Sequence, residues 1–158
     1  MIYAIAKIDT SARARLSWIQ SFAASFGIVP KPIYGHITLC PLEENNILAA
    51  KDALADCSAF TVEVPTLEIL PNAPVIAAMV SKNSALENIR SRLTGESGWI
   101  PHIELLRDTM MDLSWIRSAM TQMFTPFTAT IDRIEFVRDT GRGFEVLDAA
   151  DLTPAENA

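Results

Sequence analysis

The two histidines of the chain, His36 and His102, stand in short segments of the same form. Each is followed by isoleucine, a polar residue and leucine. In a β-strand the side chains of residues i and i+2 share a face, so His36 would lie beside Thr38, and His102 beside Glu104. Two imidazoles facing one cavity suit general acid–base chemistry, because an unperturbed histidine titrates at about pH 6.5, and a neighbouring hydroxyl can donate to an oxyanion.

Apolar periodicity predicts the elements that hold these segments. Leu16, Ile19 and Phe22 recur at helical spacing before Gly27, which is typical of an amphipathic helix and its end. The predicted strands are 2–8, 33–39, 60–70 (broken by Pro65), 75–80, 99–106, 127–138 and 144–147, and the predicted helices are 12–26, 47–55, 84–93 and 112–124.

The elements repeat in the order helix, short strand with a histidine, helix, long strand, turn and short strand, which indicates an internal duplication. His36 precedes Phe60 by 24 residues and His102 precedes Phe127 by 25. The segments FTVEVPTLEIL and FTATIDRIEFV match in Phe, Thr and a later Glu. Two copies of one unit predict a two-lobed domain in which equivalent residues face each other across a pseudo-two-fold axis. Because the identities are few, chance similarity remains the alternative at this point.

Length and charge limit the kinds of partner. The 158 residues suit one domain, predicted over 1–150 with a frayed tail at 151–158, and need no disulfide to form a core. The net charge of −6 argues against an extended nucleic-acid surface, since such surfaces neutralise many phosphates with Lys and Arg. A small anionic ligand in a local pocket is compatible with this charge.

No targeting or metal-binding pattern stands out in the sequence. It contains no run of about 18 apolar residues and no leader-like start, so we expect a cytoplasmic protein without a membrane partner. Cys40 and Cys57 are 17 residues apart, match no zinc spacing and are expected to be reduced thiols.

The paired strands GHITL and PHIEL resemble the two His-x-Thr/Ser motifs of the 2H phosphoesterase superfamily, which includes 2′-5′ RNA ligase-like proteins and cyclic nucleotide phosphodiesterases. The resemblance extends over roughly residues 1–150. It implies an α+β fold with two antiparallel sheets around a concave groove and helices outside. It also implies a hydrolase of RNA-processing type that needs no metal or cofactor and acts on a 2′,3′-cyclic phosphate or a 2′-5′ linkage of a small nucleotide or RNA end.

The same resemblance assigns roles to three matching residues. His36 and His102 would be the acid and the base, in an order that the sequence leaves open, and Thr38 would hold a phosphate oxygen. Glu104 departs from the motif, because an ionised carboxylate cannot donate a hydrogen bond and repels phosphate. It could be protonated or turned aside, orient His102 or bind another substrate group, or mark altered or lost activity.

Four further residues are weaker candidates for substrate binding. Arg107 and Arg142 could supply positive charge to a phosphate, or could be ordinary solvated arginines. Tyr34 and Trp99 flank the histidine strands and could stack on a base, although aromatic residues near strands more often belong to the core.

Two other functions remain open on the sequence. His36, His102 and Glu104 are the ligand set of a two-histidine, one-carboxylate metal site, although such sites usually belong to all-β barrels. A nucleotide- or RNA-binding module that has lost turnover is the second alternative, motivated by Glu104. The oligomeric state cannot be read from the sequence.

Overall fold

The protein was analysed as a computed structural model, which describes residues 1–27, 35–96, 98–108 and 110–155. The helices in this part of the chain are α1 (Thr10–Ala24), α2 (Ile47–Ala53), α3 (Ser84–Thr94) and α4 (Leu113–Thr121), with a short 3-10 turn at Glu44–Asn46. The strands are β1 (Ile2–Ile8), β2 (His36–Leu42), β3 (Phe60–Val64), β4 (Thr66–Ile69), β5 (Val75–Met79), β6 (His102–Arg107), β7 (Phe127–Asp139) and β8 (Phe144–Asp151).

The strands form two antiparallel sheets, so the predicted α+β class with two such sheets is confirmed. In the first sheet the order is β2-β1-β7, and both β3 and β8 pair with the other edge of β7. In the second sheet the order is β4-β5-β6. The helices pack apolar faces such as Leu16, Leu86 and Ile116 into a core shared with the sheets.

The topology repeats and so agrees with an internal duplication. β1-α1-β2-α2-β4 is followed by β5-α3-β6-α4-β7, and the matching strands build sheets of matching order, β2-β1-β7 and β6-β5-β4. Each histidine strand pairs with the first strand of its own copy, β2 with β1 and β6 with β5. That first strand pairs in turn with the last strand of the other copy, β1 with β7 and β5 with β4. The repeating unit therefore begins with a strand, one element earlier than the helix from which the sequence pattern was counted.

Strand register supports the same conclusion. The β1–β2 ladder passes from Ala4–Cys40 to Ile5–Thr38 and skips Leu39. The β5–β6 ladder passes from Ile76–Leu106 to Ala77–Glu104 and skips Leu105 in the same way. Leu39 and Leu105 both lie three residues after a histidine and both are buried. A bulge at the same place in two strands is a feature of backbone geometry that chance sequence similarity does not explain.

Two sequence predictions need correction. The predicted strand 60–70 is two strands in different sheets, because Pro65 has no N–H to donate to a ladder and the chain changes sheet there. The predicted frayed tail is wrong at its start. Asp151 ends β8, Leu152 is buried, and Thr153 pairs with Ser58 and donates its N–H to the Cys57 carbonyl.

Candidate active site

The two histidine strands meet where the two sheets approach each other. β2 and β6 are in contact although they belong to different sheets. Their burial patterns agree, with the histidine partly buried, the next residue buried, the polar residue exposed and the following two buried. As the alternation predicts, Ile37 and Ile103 enter the core while the polar residues of both strands lie on the opposite face.

Cross-strand neighbours extend each polar face. Opposite residues of a ladder share a face. In the first sheet Lys7 lies opposite His36, and Ile5 lies between Thr38 and Glu135. We call this face the first half of the groove. In the second sheet the corresponding residues form the second half: Met79 opposite His102, and Ala77 between Glu104 and Glu68.

His36 is held in a poorly solvated position. Burial lowers its pKa from 6.5 to about 4, and the nearby charge of His102 adds to the effect. The ring of Phe144 lies edge-on to the imidazole with 5.1 Å between ring centroids. Among the described residues no group hydrogen-bonds to the buried Nδ1. His36 is therefore neutral at physiological pH, with Nε2 as the nitrogen available for proton transfer.

His102 is oriented by the backbone just before its strand. Its Nδ1 lies 2.9 Å from the backbone carbonyl oxygen of Ile100. A carbonyl can only accept, so this contact requires a proton on Nδ1. Nε2 is then the nitrogen that gains or loses a proton, and the two similar sequence segments hold their imidazoles in different ways.

Glu104 is paired with Arg107. The guanidinium Nε and Nη2 lie 2.9 and 2.7 Å from the same carboxylate oxygen, Oε1. Residues three apart point to opposite faces of a regular strand, but the bulge at Leu105 returns Arg107 to the face of Glu104. Both side chains remain about half exposed, at 46% for Glu104 and 52% for Arg107, so a ligand can reach them.

A second carboxylate, Glu135, is buried in the first half of the groove. Lys7 lies 3.8 Å and Arg133 3.4 Å from its two oxygens. Sequence alignment of the two copies matched Glu135 with Glu68, and the ladders place both in corresponding rows. Lys7 was missed in the sequence, although it is the one charged residue of the apolar segment at 2–8.

The structure sorts the remaining candidates. Trp99 packs against the core and beneath Arg90, whose guanidinium carbon lies 5.1 Å from the ring centroid, so it has a structural contact of its own. Arg142 is exposed in the turn between β7 and β8, where its backbone N–H donates to Thr140. Tyr34 lies outside the described residues.

Two polar side chains that the sequence analysis missed support the histidine strands at their bulges. Gln20 of α1 donates to the carbonyl of Leu105, and Arg90 of α3 donates to the carbonyl of Leu39, each at 3.2 Å. The two helices correspond in the duplication, and so do the two leucines. Each copy thus uses its first helix to satisfy a backbone group in the histidine strand of the other copy.

Other features of the described residues carry less weight for the chemistry. A cavity of about 430 Å³ lies along the outer side of α1, between Arg15, Trp18 and Phe127, away from both histidines. Within the described ranges, no three His, Cys, Asp or Glu side chains are grouped so that they could hold a metal ion, so the alternative of a two-histidine, one-carboxylate site gains no support. None of the helices described is long and apolar enough to cross a membrane.

Comparison with solved structures identifies the fold. Escherichia coli LigT in its apo form matches with a TM-score of 0.69 and 15% identity over 96% of both chains. This chain has the LigT fold. LigT complexed with 3′-AMP matches with a TM-score of 0.66 and 14% identity, over 96% of this chain and 97% of LigT.

A further structure with the LigT fold is described as a phosphoesterase. It matches with a TM-score of 0.68 and 14% identity, over 96% of this chain and 98% of the other. No family model matches the sequence, and no match was found among curated proteins. The resemblance inferred from the paired histidine strands is thus confirmed at the level of the fold.

Proposed function

We propose that the protein is a metal-independent phosphoesterase that hydrolyses a 2′,3′-cyclic phosphate or a 2′-5′ phosphodiester on a small nucleotide or an RNA end. The observation that carries the proposal is the pair of histidines at matched positions of two contacting, duplicated strands. The LigT fold supports it, because LigT structures include complexes with phosphate and with 3′-AMP.

The environments of the two imidazoles favour one division of roles. His36 is neutral and can accept the proton of an attacking water, since its pKa is lowered to about 4. His102, fixed through Nδ1, can carry a proton on Nε2 and give it to the departing ribose oxygen. Water forms the new P–O bond as the ribose P–O bond breaks, so one proton is taken up by His36 and one is released by His102.

An anionic phosphate between the rings would also change the pKa of the base. Negative charge close to an imidazole stabilises its protonated form and so raises its pKa. Substrate binding therefore moves the pKa of His36 back toward neutrality, where a base is most effective. Thr38, exposed beside His36, supplies a hydroxyl that can donate to a non-bridging phosphate oxygen.

Turnover of nucleoside 2′,3′-cyclic phosphates and 2′-5′-linked dinucleotides in the presence of a chelator tests this proposal. We expect His36→Ala and His102→Ala each to lose about 100-fold or more in kcat, the usual contribution of a positioned acid or base. Gln122→Ala, at an exposed residue just after α4, is the matched control and should retain full activity.

Three results would count against the proposal. Equal turnover by the wild type and both histidine variants would remove the catalytic claim. Binding without turnover by the wild type would favour the non-catalytic nucleotide-binding alternative. Activity that depends on a retained stoichiometric metal would favour a metal enzyme.

A further inference from the structure

The cavity of about 430 Å³ on the outer side of α1 is lined by neither histidine and by no residue of the groove. Pockets that bind small molecules usually have volumes of about 300–1,000 Å³, with apolar walls and a few polar groups. Ser11, Arg15 and Trp18 form one wall, because residues four and seven apart share a helix face. Apolar and hydroxyl side chains complete the lining, among them Ile19, Met123, Thr125 and Phe127. The cavity therefore has the size and the composition of a small-molecule site.

The charge of this lining favours an anionic ligand. Arg15 is its cation, and no carboxylate lines the cavity. Helix α1 itself contains no Asp or Glu. In the described part of the chain Arg15 forms no ion pair, whereas carboxylates pair with Arg90, Arg92, Arg107, Arg133 and Arg138. Even in a protein with a net charge of −6, an anion can therefore bind this guanidinium without competition from an acidic side chain.

Aromatic rings give the same cavity flat apolar surfaces. The guanidinium carbon of Arg15 lies 5.9 Å from the centroid of the Phe127 ring. Stacking on a ring uses the face of a guanidinium and leaves N–H donors at its edge for a phosphate. Trp18 is 59% exposed, so much of its indole is open to a ligand, and aromatic side chains stack on any nucleobase. The hydroxyls of Ser11 and Thr125 can bond to a ribose or a phosphate.

We infer that this cavity is a second nucleotide-binding site, in which Trp18 stacks on the base and Arg15 binds the phosphate of a nucleoside monophosphate. An uncharged aromatic ligand would leave the charge of Arg15 unpaired, and a phosphate alone would leave the indole uncovered. Because no groove residue lines the cavity, this site is separate from the one in which the histidines act. The inference goes beyond the proposed function and does not depend on it.

Titration with AMP, followed by ¹⁵N NMR of the indole N–H groups, tests this site in the intact protein. The chain has three tryptophans, and the signal that Trp18→Phe removes is that of Trp18. Trp115 is a matched internal control, because it is 57% exposed but lies outside the cavity lining. AMP should shift the Trp18 signal saturably and leave the Trp115 signal in place. Adenosine and ribose 5-phosphate, which each lack one recognised group, should bind with a Kd at least about tenfold higher.

Variants of Arg15 test the phosphate contact. Arg15→Met should raise the Kd for AMP, measured at Trp18, by about tenfold or more, since it removes a charge-assisted donor. Arg15→Lys keeps the charge without the planar fork, so it should recover part of the affinity. Arg92→Met is the matched control, because it removes an exposed arginine that pairs with Asp56, and should leave this Kd unchanged.

A short single-stranded oligoadenylate separates the two sources of such a nucleotide. Tighter binding than AMP at Trp18 would identify an unpaired nucleotide of an RNA as the occupant, and equal binding would identify the free nucleotide. Both results support the site, because each places a base and a phosphate in the cavity.

The groove variant His36→Ala separates this inference from the proposed function. A Trp18 shift that persists in His36→Ala would support the inference, whether or not the wild type turns over a cyclic phosphate. Loss of that shift in His36→Ala would place AMP in the groove and overturn the inference. Absence of a saturable Trp18 shift at ~10 mM AMP, or an unchanged Kd in Arg15→Met, would overturn it as well.

Discussion

At the scale of residues, two nearly identical segments produce two different imidazoles. His36 is mostly buried and packs against Phe144, whereas His102 is hydrogen-bonded to a backbone carbonyl. The difference comes from neighbours far away in sequence. The i, i+2 rule could therefore predict that each histidine shares a face with Thr38 or Glu104, but not which imidazole would be the poorer acceptor of a proton from solvent.

The lowered pKa of His36 makes stability depend on pH. An unfolded histidine takes up a proton near pH 6.5, whereas folded His36 does so only near pH 4. The unfolded state thus binds more protons in this window, and the free energy of unfolding falls as pH drops from about 6.5 to 4. We expect His36→Gln to reduce the loss of stability between pH 7 and pH 4.5 by ~2 kcal/mol.

Urea unfolding at the two pH values measures this change, with the exposed Gln122→Ala as the matched control. Stability lost below pH 6.5 in wild type should be largely retained in His36→Gln. An identical pH dependence in wild type and His36→Gln would show that His36 is solvated and titrates normally.

The pairing of Glu104 with Arg107 was out of reach of residue-level rules. Residues three apart should point to opposite faces of a strand. The inserted residue at Leu105 reverses this, and nothing in the local sequence marks a bulge there. Arg107 could be proposed from the sequence as a source of positive charge for a phosphate, but its contact with Glu104 could not be predicted.

At the scale of elements, the helices and strands that carry the motif were largely predictable, because apolar periodicity is a local property. The strands that pair with one another in each sheet were less predictable. The sequence predicted a single strand at 60–70 with a break at Pro65, whereas β3 and β4 join different sheets. Sheet membership depends on contacts between distant segments, which a local pattern does not contain.

The hydrogen bonds from Gln20 of α1 and Arg90 of α3 to the two bulges position the histidine strands. Replacing Arg90 with Met leaves the Leu39 carbonyl without its donor, which should lower the free energy of unfolding by ~1–3 kcal/mol. Because Leu39 follows Thr38 directly, we also expect kcat on a cyclic phosphate to fall, with a smaller change in KM.

Arg90→Lys and Arg92→Met separate positioning from a general loss of stability. In Arg90→Lys the lysine can still donate to the carbonyl, so this variant should recover part of kcat. Arg92 is on the same helix but forms a different ion pair, with Asp56, so Arg92→Met should leave kcat unchanged. A kcat in Arg90→Met equal to that of wild type at a temperature where both are folded would show that the tie has no role in catalysis.

At the scale of the whole molecule, the repeated topology places the two histidine strands in contact. Each sheet is completed by the last strand of the other copy, so the two histidine strands are brought together by the same exchange that closes the core. The pairing of the copies was predictable from element order and from the match of Glu68 with Glu135. The exchange of strands, and the substrate that the groove accepts, were not.

The two halves of the groove also differ in charge. The first half carries Lys7 and Arg133 around Glu135, and the second carries Glu68 and Glu104 with Arg107. The net charge of −6 therefore says little about the site, because Lys7 and Arg133 lie around a single buried carboxylate in the first half. A small phosphate ligand is compatible with an acidic protein for this reason.

Convergence of both histidines on one phosphate can be measured directly by NMR of the imidazole nitrogens. The chain has only two histidines, so a uniformly ¹⁵N-labelled sample gives the signals of two imidazole rings, which do not overlap with those of other histidines. On titration with inorganic phosphate near neutral pH, both rings should shift with a single shared Kd, and His36 should gain protonated character. A phosphate that shifts one ring alone, or shifts the two with different Kd values, would contradict the two-histidine site.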